Sequence, residues 1–257
     1  MHNSFRRVAI TLLILVTTAL FCLSAGAAEI QDAFSLLKIR KDNQALAVFE
    51  ELLQRKPNNC GALWGKAEIL RRKRRFQESE IILNQVLQKN PDYPPALISL
   101  AYIRYHDNRL KEALKLTRRA LKSKPLSKEN EAMAFMMLGT INSKRSSQGW
   151  IINKIQYGTQ IKSFFLKAVK IDPGLAEAHL GLGIFYLKAP VIAGGNVDKA
   201  IEELTTALRL APDFATATAR LAQAYKKKGD SDKYKIYLRR AEELDSGNEA
   251  LKELREQ

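Results

Sequence analysis

Apolar and polar residues alternate with the period of an α-helix through most of the chain. In the clearest segment, Ala200, Leu204 and Ala207 are separated by four and three positions, which places them on one helical face. A proline, Pro212, follows five residues after the last of them. Similar triplets precede four other prolines, Pro57, Pro91, Pro125 and Pro173. The pattern predicts a helix that ends near a proline and that recurs along the chain.

The prolines also define a sequence period. Pro57, Pro91 and Pro125 are 34 residues apart, and Pro173 and Pro212 follow after 48 and 39 residues. A period of this length is typical of repeat proteins, in which each unit buries its apolar face against its neighbours. The two longer intervals indicate insertions of 14 and 5 residues.

A second apolar stripe lies upstream of the first in each unit. Its clearest copies are Leu182-Gly183-x-x-Tyr186 and Leu221-Ala222-x-x-Tyr225. A 34-residue helix–turn–helix unit with this stripe and a closing proline resembles the tetratricopeptide-repeat (TPR) family. The resemblance covers residues 29 to about 248. It implies an all-α fold, a TPR α-solenoid of about six helix–turn–helix repeats that forms a right-handed superhelix.

This register divides the chain into repeats. The six predicted repeats span 28–59, 60–93, 94–127, 128–175, 176–214 and 215–248, and residues 249–257 are expected to cap the stack. The fourth and fifth repeats contain the insertions, and we expect both insertions to lengthen the turn between the two helices of their repeat. No segment predicts a β-strand.

Residues 1–27 have the features of a secretory signal peptide. Arg6 and Arg7 form a basic start, residues 8–23 are apolar and uncharged, and Ala25-Gly26-Ala27 offers a small-x-small cleavage site. The apolar run is shorter than the roughly 20 residues that span a bilayer. We therefore expect cleavage after Ala27 and export, most simply to the periplasm. Retention of the segment as a membrane anchor is the alternative.

The charge balance indicates the kind of partner. The chain has 42 Lys and Arg against 27 Asp and Glu, which gives a net charge of +15. This excess predicts a protein or peptide partner with acidic character, or an anionic membrane surface. Residues 71–75 form an unbroken basic run that would suit either partner. Nucleic acid also fits the charge but is not expected for an exported protein.

The sequence does not support catalysis. After residue 27 it contains two histidines, His106 and His179, and one cysteine, Cys60, which are too few for an ordinary zinc site. It also lacks the phosphate-binding glycine loops and the nucleophile-elbow motif of hydrolases. We therefore predict a non-enzymatic protein without a cofactor or metal.

The resemblance to TPR proteins implies a concave groove, lined by the first helix of each repeat, in which partner segments bind. The residues that we assign to this groove are Trp64, Glu68, Arg71, Arg72, Tyr102, Tyr105, Arg220 and Lys226. Trp, Tyr and Arg dominate binding hot spots because they bury a large area and still make polar contacts.

The insertions suggest a second surface. We expect a rim patch that consists of Trp150, Ile151, Val191 and Ile192, either as an interaction site or buried against a neighbouring repeat. The leading hypothesis is a protein-protein interaction scaffold or adaptor in a bacterial cell envelope. The alternative is a TPR component that binds a small solute or associates with an envelope transporter, since the segment 189–196 resembles TPR components of TRAP-type transporters.

Overall fold

The computed structural model describes residues 28–148 and 151–256, and for residues 151–156 it describes the backbone. These residues form thirteen α-helices and no β-strand. In chain order the helices are α1 (28–38), α2 (Asp42–Arg55), α3 (Cys60–Arg72), α4 (Phe76–Lys89), α5 (Pro94–His106), α6 (Leu110–Lys122), α7 (Lys128–Gln148), α8 (Ile151–Ile171), α9 (Ala176–Lys188), α10 (Val197–Leu210), α11 (Ala215–Lys228), α12 (Ser231–Asp245) and α13 (Glu249–Arg255). None of the described helices is both long and apolar enough to cross a membrane.

The helices stack as a solenoid of hairpins. Each odd-numbered helix from α3 to α11 packs against the even-numbered helix that follows it, and also against the next odd-numbered helix. The odd-numbered helices are therefore neighbours of one another and form the inner layer. The even-numbered helices form the outer layer. This arrangement is the all-α TPR solenoid that the sequence predicts.

Close packing between the layers depends on large side chains that face glycines. The ring of Phe165, in the outer helix α8, lies between Gly139 of α7 and Gly181 of α9. A Cβ at Gly139 would be 2.9 Å from Phe165 Cε1, and a Cβ at Gly181 would be 2.2 Å from the same atom. Phe49 is fully buried against Gly65 in the same way. These glycines are therefore required, because the neighbouring rings occupy the space that a Cβ would need.

The turns inside the first three hairpins share one backbone conformation. Arg40, Arg74 and Asn108 occur 34 residues apart and adopt positive φ angles of 68°, 62° and 62°. Each turn is closed by hydrogen bonds to the preceding helix, such as Arg75 N–H to Leu70 O at 2.9 Å. Glycine takes this left-handed conformation without strain, whereas an arginine there costs about 1–2 kcal/mol.

The two insertions have different structures. The second lengthens a turn as expected: residues 189–196 contain a 3-10 turn, Val191–Ala193, because Pro190 and Gly194 interrupt the helix. The first does not. It extends both helices of its hairpin, so that α7 and α8 have 21 residues each. Residues 143–148 contain no proline or glycine, so the helix continues through them.

The C-terminal helix closes the stack. α13 packs mainly against α11 and buries Ala250, Leu251 and Leu254. Its first turn is capped by Asn248, whose Oδ1 accepts a hydrogen bond from Ala250 N at 3.0 Å. The helix therefore covers the apolar face that α11 would otherwise expose.

Replacing Gly181 by alanine should destabilise the protein, because the added methyl group would overlap the buried Phe165 ring. We expect the free energy of unfolding to fall by about 1–3 kcal/mol. Gly158→Ala in α8 is the matched control, since its Cβ would meet only Ser146 Oγ at 3.7 Å. The control should be neutral or up to about 1 kcal/mol more stable. Urea unfolding followed by circular dichroism measures both variants, and equal effects would contradict this account of the packing.

Candidate functional site

The inner layer begins with a buried hydrogen-bond chain that connects α3 and α5. Trp64 is 9% exposed and packs on Phe34, with ring centroids 5.6 Å apart. Its Nε1–H donates to Ser99 Oγ at 3.0 Å, and Ser99 Oγ–H donates to Glu68 Oε2 at 2.9 Å. Trp64 and Glu68, two residues predicted to face the groove, are therefore largely covered by neighbouring helices.

Glu68 is also the centre of an ion-pair network. Arg71 forms a two-point contact with its carboxylate, with Nε donating to Oε2 at 2.8 Å, and Arg72 Nε donates to Oε1 at 3.2 Å. Arg72 also pairs with Asp42 Oδ1 at 2.8 Å and donates to Leu37 O at 2.8 Å. The network therefore joins α3 to the first hairpin.

The electrostatics of this network favour the charged state. Burial raises the pKa of Glu68, but the adjacent guanidinium groups of Arg71 and Arg72 outweigh that effect and lower the pKa to about 2. Burial likewise opposes the ionised form of Glu177, while Arg40 and Arg72 lower its pKa. Burial and the proximity of Arg72 lower the pKa of Arg40 to about 10.

The network extends across the groove. Arg40 Nη2 is 2.7 Å from Glu177 Oε1 at the start of α9, and Arg72 Nη2 is 3.6 Å from the same oxygen. The Arg40 guanidinium also lies 3.7 Å from the ring centroid of Phe214. Since Arg40 and Glu177 are 137 residues apart in sequence, the first hairpin contacts the fifth.

A second ion pair crosses the groove further along. Arg74 Nη1 is 3.1 Å from Glu249 Oε1 at the start of α13. Among the described residues, Arg40 and Arg74 are the arginines with left-handed backbones. Arg40 reaches the hairpin four units later, and Arg74 reaches α13, the helix that follows the sixth hairpin. Arg40, Glu177 and Glu249 are not among the residues that the sequence predicts to line the groove. In the sequence, each of them is only a charged residue next to a helix terminus. Many surface residues have the same feature, so it does not predict a groove position.

Partly exposed aromatic rings form a cluster beside this network. Tyr102, Tyr105 and His106 lie on the last turns of α5, and His106 is 4.7 Å from Phe76 of α4 between ring centroids. Tyr102 lies 5.9 Å from Tyr105 and 5.4 Å from His106. We call these four residues the aromatic cluster.

Two cations flank the aromatic cluster. The Arg71 guanidinium is 4.0 Å from the centroid of Tyr102, and Lys144 Nζ is 4.6 Å from the centroid of Tyr105. Lys144 Nζ also donates to Tyr105 O at 2.9 Å. Burial raises the pKa of Tyr105 to about 12 and lowers the pKa of His106. The structure therefore brings Arg71, Tyr102 and Tyr105, three of the residues predicted to line the groove, into contact with one another.

The two groove residues assigned to α11 have different environments. The side chain of Arg220 is 9% exposed, and its Nη1 donates to Gln223 Oε1 at 3.0 Å and to Glu253 Oε2 at 2.7 Å. The hydrogen bond from Arg220 is the main reason that the pKa of Glu253 is lowered to about 2. Lys226 is exposed and lies 5.8 Å from the ring centroid of Tyr234 on α12.

The basic run at 71–75 does not form a free cationic patch. Arg71 and Arg72 pair with Glu68, and Arg74 pairs with Glu249. The remaining two also have partners in the chain: Arg75 pairs with Glu78, and Lys73 Nζ donates to Asn43 Oδ1 at 2.8 Å. Four of the five cations are thus compensated by acidic side chains.

The rim patch is described in part. Val191 and Ile192 are 85% and 99% exposed. Trp150 and the side chain of Ile151 lie outside the described residues. Whether the four form one surface therefore stays a prediction.

His179 connects the two helices of the fifth hairpin. Its Nδ1 is 2.7 Å from Glu203 Oε2, and its Nε2 is 3.0 Å from Pro173 O. Burial opposes protonation, but these two contacts together raise the pKa of His179. Across residues 28–148 and 151–256, no group of three or more His, Cys, Asp or Glu side chains could hold a metal ion.

Replacing Glu68 by glutamine should strongly destabilise the fold, because Arg71 would remain buried without its counter-ion and Arg72 would lose one of its acidic partners. We expect a loss of about 3–5 kcal/mol in the free energy of unfolding at neutral pH. The folded pKa of about 2 lies below the unfolded value of about 4.3. The difference between wild type and variant should therefore shrink as the pH falls from about 4.5 to 2.

Glu78→Gln, in the exposed Arg75–Glu78 pair, is the control for this prediction and should change stability little. Chemical denaturation of the three proteins across this pH range makes the comparison. A Glu68 variant that is as stable as the Glu78 variant would contradict the assigned role of the network.

Comparison with known proteins gives the family. A tetratricopeptide-repeat family model matches residues 35–94 and 192–249. A search of curated proteins finds no matching sequence. Among solved structures, a human IFIT1 dimer with m7Gppp-AAAA has a TM-score of 0.63 and 19% identity, over 89% of this chain and 52% of that chain.

Two further solved structures are also similar. The thermophilic TPR protein TTC0263 from Thermus thermophilus has a TM-score of 0.55 and 21% identity, over 86% of this chain and 95% of that chain. PilW, a type IV pilus biogenesis factor, has a TM-score of 0.52 and 16% identity, over 90% of this chain and 98% of that chain. At these identities the similarity shows the fold alone. The repeat period, the stacked hairpins and the family match together show that the chain belongs to the tetratricopeptide-repeat family.

Proposed function

We propose that this protein is a non-enzymatic scaffold or adaptor that binds an extended segment of a partner protein in its groove. The observation that carries the proposal is the aromatic cluster, which is partly exposed on the inner layer between two cations. TPR solenoids use their inner helices for protein-protein interaction, and this cluster has the residue types of a binding hot spot.

The partial burial of the rings supports this interpretation. Tyr102, Tyr105 and His106 are each intermediate in exposure, so they are held in place and still present surface to a ligand. Two other residues assigned to the groove are different, because Trp64 and Arg220 are almost covered by their own chain. A partner that enters the groove would therefore gain most contact area at the cluster.

The charges beside the cluster favour an acidic partner segment. Arg71 and Lys144 lie on the faces of Tyr102 and Tyr105, and Arg74 is half-exposed in its pair with Glu249. A carboxylate on the partner could replace Glu249 at Arg74, because an exposed ion pair is only weakly stabilising. Burial is the main reason that the pKa of Tyr105 is raised, and the negative charge of Glu249 adds to this effect.

We also propose that the protein acts in the bacterial cell envelope, most simply in the periplasm. The support is the signal-peptide pattern of residues 1–27, with its basic start, apolar run and Ala25-Gly26-Ala27 site.

A photocrosslinking amino acid in place of Tyr102 should trap the partner in living cells. We expect a specific crosslinked protein from Tyr102, identified by mass spectrometry. A probe at Ile236, which is 63% exposed on the outer helix α12, should give no such product. If the folded and exported protein gave no crosslink from Tyr102, the small-solute alternative would be favoured over the scaffold.

N-terminal sequencing of the full chain after expression in a Gram-negative bacterium tests the location. The mature protein should begin at Ala28 and be released by osmotic shock. An intact Met1 terminus in the membrane fraction would show that the segment is an anchor, and an intact terminus in the cytoplasm would contradict export.

A further inference from the structure

The loop between α9 and α10 presents an apolar tip to solvent. Residues 190–193, Pro-Val-Ile-Ala, are all exposed, and Val191 and Ile192 are 85% and 99% accessible. Other exposed aliphatic side chains, such as Ile81 and Ile236, are 60% and 63% accessible and lie on the sides of outer helices. Two adjacent aliphatic side chains at the end of a projecting loop have almost no contact with their own protein.

Backbone hydrogen bonds hold this loop in one shape. Gly194 N–H donates to Val191 O and Gly195 N–H donates to Pro190 O, both at 2.9 Å, and Asn196 N–H donates to Tyr186 O at 2.8 Å. Gly194 has a φ angle of 91°, and a Cβ at Gly195 would be 1.9 Å from Ala189 O. The two glycines are required by this turn. The loop is therefore built to hold its apolar residues outward, since a loop free to relax would bury them.

Lysines surround the base of the tip. Lys162 Nζ lies 3.8 Å from the position of a Cβ at Gly194 and 5.3 Å from the ring centroid of Tyr186. Lys199 Nζ lies 5.9 Å from the same ring, and Lys199 is exposed to solvent. Lys188, on the last turn of α9, is about half exposed.

Two acidic groups on the neighbouring helices have cationic partners. Glu253 accepts from Lys188 and Arg220, and Asp198 accepts from Lys228 at 2.7 Å. Beneath the apolar tip, Lys162 and Lys199 supply positive charge in addition to these pairs.

We infer that this tip inserts into an anionic lipid surface. Apolar side chains on a rigid projection would enter the hydrocarbon boundary, while the lysines behind them would meet the phosphate groups. An apolar protein groove could accommodate Val191 and Ile192 equally well, but it gives no reason for the lysines that surround them. Charge complementarity therefore favours an anionic membrane. This surface is separate from the groove and does not depend on the function proposed for it.

Sedimentation with lipid vesicles tests the inference. The chain beginning at Ala28, which contains every helix described, would be mixed with phosphatidylcholine vesicles with or without phosphatidylglycerol. We expect wild-type protein to bind the anionic vesicles, and the double variant Val191→Ser, Ile192→Ser to bind them at least about tenfold more weakly. The double variant Ile81→Ser, Ile236→Ser is the matched control and should bind as wild type does.

The lysines give an independent readout. Lys162→Gln, Lys199→Gln should weaken binding to anionic vesicles, and added salt should have a smaller effect on this variant than on wild type. Thermal unfolding should be unchanged in all variants, because every substituted side chain is exposed or partly exposed.

Two results would overturn the inference. One is a wild-type protein that fails to sediment with anionic vesicles, and the other is a serine variant that binds them as wild type does. A crosslinking residue at position 192 then identifies which other molecule contacts the apolar tip. A crosslink to a second copy of this chain indicates self-association, and a crosslink to another protein indicates a docking site. Either product without vesicle binding contradicts the lipid assignment.

Discussion

The structure depends on how closely the helices of the inner layer can approach the outer layer. Phe165 is enclosed by glycines from two inner helices, Gly139 and Gly181, and Phe49 meets Gly65 in the same manner. A larger residue at any of these glycines would force the helices apart, and in a solenoid the displacement would pass to every later hairpin. The small residues therefore fix the stacking angle from one hairpin to the next, and the angle fixes which distant residues meet.

The cross-groove ion pairs are a consequence of that geometry. Six charged residues from three helices and one turn converge, with three cations and three anions: Arg40, Arg71, Arg72, Asp42, Glu68 and Glu177. Burying such groups is costly unless the charges balance. The strain of a left-handed Arg40 is tolerated here because its side chain reaches both Glu177 and Phe214.

The fold could be predicted from sequence because its determinants are local. The 34-residue period, the small residues at helix contacts and the prolines after the outer helices all lie within one or two repeats. The site was predictable only in part. Tyr102 and Tyr105 were assigned to the groove from their position on α5, but contacts such as Arg40–Glu177 span 137 residues. Such contacts depend on the accumulated rotation of four hairpins, which no local pattern encodes. The helical extension of the first insertion was missed because its length alone does not distinguish a longer turn from longer helices.

The same contacts would connect binding of the proposed partner to the shape of the solenoid. Arg72 pairs with Glu68 beside the aromatic cluster and also approaches Glu177 on the far side of the groove. Arg71 shares Glu68 and stacks on Tyr102. A ligand that moves the Tyr102 ring therefore alters the environment of Arg71, and through Glu68 it alters the arginine that bridges the groove. Since the buried network is stable only with its charges matched, the inner pairs would resist this change. The exposed Arg74–Glu249 pair would yield first, because solvent compensates for its loss. The groove is thus expected to open at its α13 side, where a partner carboxylate can take the place of Glu249, while the first hairpin stays fixed to the fifth.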